Sequence, residues 1–214
     1  MSRAIFAVCI TALCSAGAFY VMRRRRSVKL ITRDQFLCIM KEISLNAFDV
    51  LFEYTQMASR VSMTSKVDIK SFLEQDSHLR HDLEHRQEII LKKYDVDVTD
   101  LVNAQSIYSD TEADAIVKSV PDMYEQSIKG EFPLLEWLPD QATPFGDDEL
   151  LILVSHNLRA KTEHVLGKTS EAPSDLPVTT KNSLSRRINN DEIFRSKLVE
   201  VVLMAQNEVR SLLS

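Results

Sequence analysis

The sequence predicts an all-α chain, with one N-terminal hydrophobic helix followed by a helical bundle of about five to seven helices. Three observations predict it. Glycine is scarce, four in 214 residues, and Gly130, Gly146 and Gly167 fall where helices should stop or start. Leu, Glu, Lys and Ala, which lose little on entering a helix, are abundant. Apolar residues recur at spacings of three and four behind side-chain caps.

The first element covers residues 1–26. Positions 4–22 are nineteen residues without a charge, and Arg23, Arg24, Arg25 and Arg26 follow. At about 1.5 Å per residue, such a helix matches the roughly 30 Å hydrocarbon core of a bilayer. The four arginines, with Lys29 and Arg33, outweigh the single Arg3 ahead of the segment. The positive-inside rule therefore makes it a signal-anchor that leaves the rest of the chain cytosolic. Arg23–Arg26 and Lys29 are the candidate topology residues, and near anionic lipid each would contribute about 1 kcal/mol. Ala12 and Ala16 form a small-xxx-small pair through which two anchors could associate weakly. The rival reading is a secreted chain cleaved near Ala18, where Ala16-Gly17-Ala18 has the small-residue pattern of a cleavage site. Arginines directly after the cut would resist export, and the mature chain would carry Cys38 unpaired, so the anchor is favoured.

Residues 32–167 read as the helical domain. Thr32-Arg33-Asp34-Gln35 is a T-x-x-Q capping box opening a long helix. Its apolar positions, Phe36, Met40, Ile43, Ala47, Val50, Tyr54, Met57 and Val61, alternate by four and three like a coiled-coil seam. Leu37, Leu45, Phe48, Leu51 and Phe52 widen the stripe, which favours burial in a bundle. After a polar break at 62–66, a helix is expected over 68–93, with Phe72, Leu79, Leu83 and Ile90 along one line. Thr99 is expected to cap a helix over 100–108. Ser109-Asp110-Thr111-Glu112 is expected to open another that Pro121 kinks or restarts and Lys129-Gly130 ends. Residues 131–146, with three prolines around Trp137, should be irregular and pack the Trp on the bundle. Asp147-Asp148-Glu149 places negative charge at the start of a helix over 150–166. Residues 168–190 read as a flexible polar linker and 191–214 as a C-terminal amphipathic helix.

Composition excludes several function classes. The net charge is −5, but residues 34–214 hold nineteen basic against thirty-one acidic side chains, a net −12. Phosphate recognition needs a basic face, so nucleic acid is not an expected partner. Cys9 and Cys14 lie in the anchor and Cys38 stands alone, beside the apolar stripe, where it reads as a small buried hydrophobe. There is no disulfide framework, which suits a reducing compartment. Glycine-rich phosphate loops, the G-x-S-x-G elbow and H-E-x-x-H are absent. Asp95-x-Asp97-x-Thr99 opens like a calcium loop, but Asp100 stands where glycine is needed and Ser106 where a bidentate Glu is needed. His78, His81 and His85, at i, i+3 and i+7, share one helix face with Glu74 and Glu88. That face lies opposite the apolar line and reads as solvated, so no metal, catalytic or cofactor-binding residue is assigned.

The expected function is therefore a membrane-anchored helical adaptor or scaffold, whose acidic cytosolic domain binds other proteins at an organelle surface. Its moderate anchor favours the mitochondrial outer membrane, with the endoplasmic reticulum next. One alternative is an accessory structural subunit of a multi-subunit membrane complex. Another is a membrane-tethered enzyme with a site assembled from scattered residues.

Overall fold

The structure, a computed structural model, describes residues 29–65, 68–75, 77–138 and 146–211. The described residues form eight helices and no strand, as an all-α helical bundle requires. The expected anchor, residues 1–26 with Arg23–Arg26, lies outside them, and no described helix is long and apolar enough to cross a membrane. Contacts divide the chain into two units, 1–137 and 138–214.

The first unit is organised on α1 (Arg33–Ser65). Around it lie α2 (Ile69–Gln75), α3 (Ser77–Lys93), α4 (Val98–Ile107) and α5 (Thr111–Ile128), with α3 and α5 making the most extensive contacts. The width of the α1 stripe explains this arrangement, because a narrow seam could cover only one neighbour. Phe36, Leu37 and Ile39 of α1 share a core with Ile90 and Leu91 of α3, Leu101 and Ala104 of α4, and Ala113 and Ile116 of α5. Phe36, Phe48 and Leu51 are completely buried, and each such side chain is worth about 1.5–3 kcal/mol of transfer free energy.

Local boundaries depart from expectation where carboxylates outcompete hydroxyls. The cap of α4 is Asp97 rather than Thr99. Its Oδ1 accepts the Asp100 N–H at 2.9 Å, while Asp100 Oδ2 accepts the Asp97 N–H at 3.0 Å. The cap of α5 is Asp110 rather than Ser109, with Oδ1 accepting from the Glu112 and Ala113 N–H groups. A charged acceptor gains from the helix dipole as well as from the hydrogen bond. Helix α5 runs through Pro121 to Ile128 without restarting, and α1 continues through 62–65, where a break was expected. The stretch 68–93 forms α2 and α3 rather than one helix, with residue 76 outside the described residues. Beyond α5, the segment 131–138 is irregular, and Trp137 Nε1 donates to Ser44 Oγ at 3.0 Å.

The second unit contains α6 (Asp147–Val165), α7 (Val178–Asn190) and α8 (Glu192–Ser211), and both α6 and α7 pack on α8. Glu149 Oε2 accepts the Gly146 N–H at 2.9 Å to open α6. An Arg187–Asp147 ion pair links α7 to the first turn of α6. The polar stretch 168–190 thus holds a helix over its second half, with Leu184 and Ile188 buried.

Candidate protein-binding groove

The first unit carries an apolar groove with a cavity volume of about 130 Å³. Met40, Ile43, Asn46 and Ala47 of α1 contribute to its lining. These positions recur within two helical turns and share one face. Helix α3 contributes Leu83 and Ile90, α4 contributes Val98, Leu101 and Val102, and α5 contributes Val117 and Val120. Ala47, Ile90 and Leu101 are buried, whereas Met40, Ile43, Leu83, Val98, Val117 and Val120 are only half-buried and Val102 is 41% exposed. The groove exists because α1 has a wider apolar stripe than its neighbours can cover. Helix α3 sets Arg86 in line with Leu79, Leu83 and Ile90, so a polar side chain stands where apolar cover would be needed.

Other polar side chains join Arg86 in the lining. Arg80, Glu84, Arg86 and Gln87 of α3 and Gln105 of α4 lie among the groove residues. Arg80 and Glu84 form an i,i+4 pair at 3.6 Å, half-exposed on both sides. Arg86 has no ion pair or side-chain hydrogen bond among the described residues. Two arginines against one glutamate make this lining locally cationic on a chain that is acidic beyond residue 33.

Around the groove, ion pairs hold the helix ends in place. Arg33 Nε donates to Asp110 Oδ2 at 2.8 Å and its Nη2 to Glu112 Oε2 at 3.1 Å, while Lys41 Nζ donates to Glu112 Oε1 at 2.9 Å. These cations hold the Asp110 carboxyl at about 2, chiefly through Arg33, and hold Glu112 below the usual carboxylate range, chiefly through Lys41. Glu42 accepts two bonds from Lys93 Nζ and one from the Tyr94 hydroxyl, and Lys93 is the main cause of its lowered pKa. The Tyr94 hydroxyl also meets Cys38 Sγ at 3.3 Å. Cys38 is exposed, not buried as its place beside the apolar stripe suggested, because its helical position turns it to the rim where Tyr94 covers α1.

Of the residues singled out by sequence, Lys29 is held by the bundle itself. Its backbone N–H donates to Asp100 Oδ1 at 2.7 Å, and its ammonium reaches Asp95 O and Oδ2 at 3.0 and 3.2 Å. His78, His81 and His85 are all exposed, and the His81 and His85 rings stack at 6.0 Å. At about 100° per residue, they point away from Leu83 and Ile90, so they take no part in the groove. Asp97 and Asp100, part of the apparent calcium loop, are engaged in capping α4. The groove was partly visible in the sequence: Met40, Ile43, Ala47, Leu83 and Ile90 were identified as apolar positions, but not as an incompletely covered surface. No family model, curated protein or solved structure matches the chain.

Proposed function

We propose that the chain is a membrane-anchored adaptor whose helical part binds partner proteins, with the groove between α1, α3, α4 and α5 as the binding surface. The supporting observation is a half-buried apolar floor beside locally cationic groups on a helical scaffold. Exposed apolar surface bordered by polar residues is the usual mark of a protein contact. Small-molecule sites commonly occupy about 300–1,000 Å³, and the volume here, about 130 Å³, is well below that. The hydrophobic segment 4–22 and the four arginines behind it support an anchor that leaves this unit in the cytosol, at the mitochondrial outer membrane in preference to the endoplasmic reticulum.

Proximity labelling with the full-length chain tests both parts of this reading. The expected neighbours are cytosol-facing proteins of one organelle, and a subset should vanish when Val102→Glu places a charge in the groove. Labelling of lumenal or secreted proteins would overturn the topology. Identical neighbours for wild type and Val102→Glu would overturn the groove as the contact surface.

A further inference from the structure

Resting on the adaptor reading, we propose that the groove takes an amphipathic helix whose apolar ridge carries one aromatic or branched anchor and whose flank carries a carboxylate for Arg86. Three observations specify this occupant. The first is shape. Every wall is a helix, whose interior N–H and C=O groups are already paired, so an extended peptide would find no sheet edge on which to add a strand. The lining of α1 runs from Met40 to Ala47, about 10 Å of helix, which matches two turns of a partner ridge at i, i+3, i+4 and i+7.

The second is volume. A dry cavity of about 150 Å³ accepts a benzene-sized molecule. The space of about 130 Å³ here therefore suits one ring or branched side chain rather than a long acyl tail.

The third is charge. Arg86 has no partner among the described residues, and Arg80 has only the long pair with Glu84. A partner carboxylate would complete a bidentate pair at a partly desolvated position, where such pairs discriminate most between partners. Beyond residue 33 the chain is acidic and would repel an acidic ligand at long range. At physiological salt that repulsion fades beyond a Debye length of about 8 Å, whereas the contact pair at Arg86 does not.

The test uses the purified full-length chain in mild detergent and a phage-displayed library of helical peptides of about 15 residues. Val102→Glu and Arg86→Glu serve as counter-baits, with circular dichroism confirming their fold. The expected binders carry an aromatic or leucine ridge with a flanking Asp or Glu, and Val102→Glu abolishes their binding. On Arg86→Glu they weaken by about tenfold or more, and exchanging the acid for Lys recovers affinity on that variant. Binders lost on Val102→Glu but indifferent to Arg86→Glu, or lacking an acid, would overturn the partner chemistry and leave the adaptor reading standing. If no binder responds to Val102→Glu, both fall. Displacement of the selected peptides by dodecanoate below its micellar concentration would assign the groove to lipid instead and overturn the proposal.

Discussion

The Arg33 guanidinium donates to the Asp110 carboxylate across 2.8 Å, joining the first turn of α1 to the cap of α5. Asp110 uses its two oxygens for two tasks. Oδ1 accepts the Glu112 and Ala113 N–H groups at the start of α5, and Oδ2 accepts from Arg33. That one carboxylate ties the start of α1 to the start of α5.

A pH dependence follows. The ordinary Asp value of 3.8 is lowered to about 2 in the fold, first by Arg33 and then by the Ala113 N–H. A carboxyl with a depressed folded pKa contributes stability that is fully present above its unfolded value and lost as pH falls through the folded value. For Asp110 the window runs from 3.8 down to about 2, and Glu112 and Glu42, lowered in the same direction, steepen the loss. Asp110→Asn keeps a capping oxygen but removes the charge, so it should flatten the slope of Tm against pH in that window. Asp110→Ala should lower Tm at neutral pH as well. Thermal melts followed by circular dichroism between about pH 5 and pH 2 check this. Parallel losses in wild type and Asp110→Asn would rule the pair out as the source.

The second prediction concerns a buried hydroxyl pair. Ser44 Oγ and Ser119 Oγ lie 2.6 Å apart, both serines are buried, and Ser44 Oγ also accepts from Trp137 Nε1. Ser119 can donate to the Ile116 carbonyl at 2.6 Å, so it keeps a partner when Ser44 is lost, but the indole loses this one. Ser44→Ala should therefore cost about 0.5–1.5 kcal/mol, the net worth of a hydrogen bond, because Trp137 is only half-buried. Trp137 is the chain's single tryptophan, so its emission reports this site alone. Greater acrylamide quenching with a lower denaturation midpoint is the expected result. An unchanged midpoint would show that water replaces the serine without penalty.

These two sites also show what was legible in the sequence. The α1 stripe, the glycines at Gly130, Gly146 and Gly167 and the absence of strands among the described residues all follow from periodicity and local chemistry, so the helices could be read directly. The caps Asp97 and Asp110 could not be separated from Thr99 and Ser109, because neighbouring cap residues are equally good locally. Asp97 closes a reciprocal pair with Asp100, whose other oxygen is engaged by the Lys29 N–H, and Asp110 is held by Arg33 from another helix. That the groove's apolar positions leave a surface incompletely covered was illegible for a related reason. The gap is the mismatch between the wide stripe of α1 and the line on α3 that Arg86 interrupts, and it exists only once the two are packed. Lys29 makes the same point, since a residue read as a lipid contact has its ammonium on Asp95.

The third prediction reverses an expectation. Cys38 is exposed at the edge of α1, so it should react with maleimide in the folded protein. In a background with Cys9→Ser and Cys14→Ser, native and denatured chains should each take up one label, detected by mass. A native chain that stays unlabelled until denatured would show the thiol to be buried after all. The neighbouring Tyr94 phenol is pushed well above its ordinary 10.0, first by the Cys38 contact and then by Glu42. Spectrophotometric titration near 295 nm should show a tyrosine component that ionises well above 10.0, and Glu42→Gln should lower its value.

The last prediction separates backbone strain from crowding at two helix ends. Gly130 has φ +82° and Gly167 has φ +68°, a region where an L side chain costs about 1–2 kcal/mol. A Cβ at Gly130 would sit 3.2 Å from Ile69 Cδ1, whereas one at Gly167 would meet nothing within 4 Å. Gly167→Ala should therefore show the backbone cost alone, and Gly130→Ala that cost plus the displacement of a methyl group. Asn tolerates the left-handed region better than Ala, so Gly167→Asn should be milder than Gly167→Ala. The crowding part is isolated by a double-mutant cycle: Ile69→Val removes the contacted methyl, so Gly130→Ala should cost less in that background than in the wild type. Equal costs in both backgrounds, measured by urea denaturation, would place the whole effect in the backbone and remove Ile69 from the account.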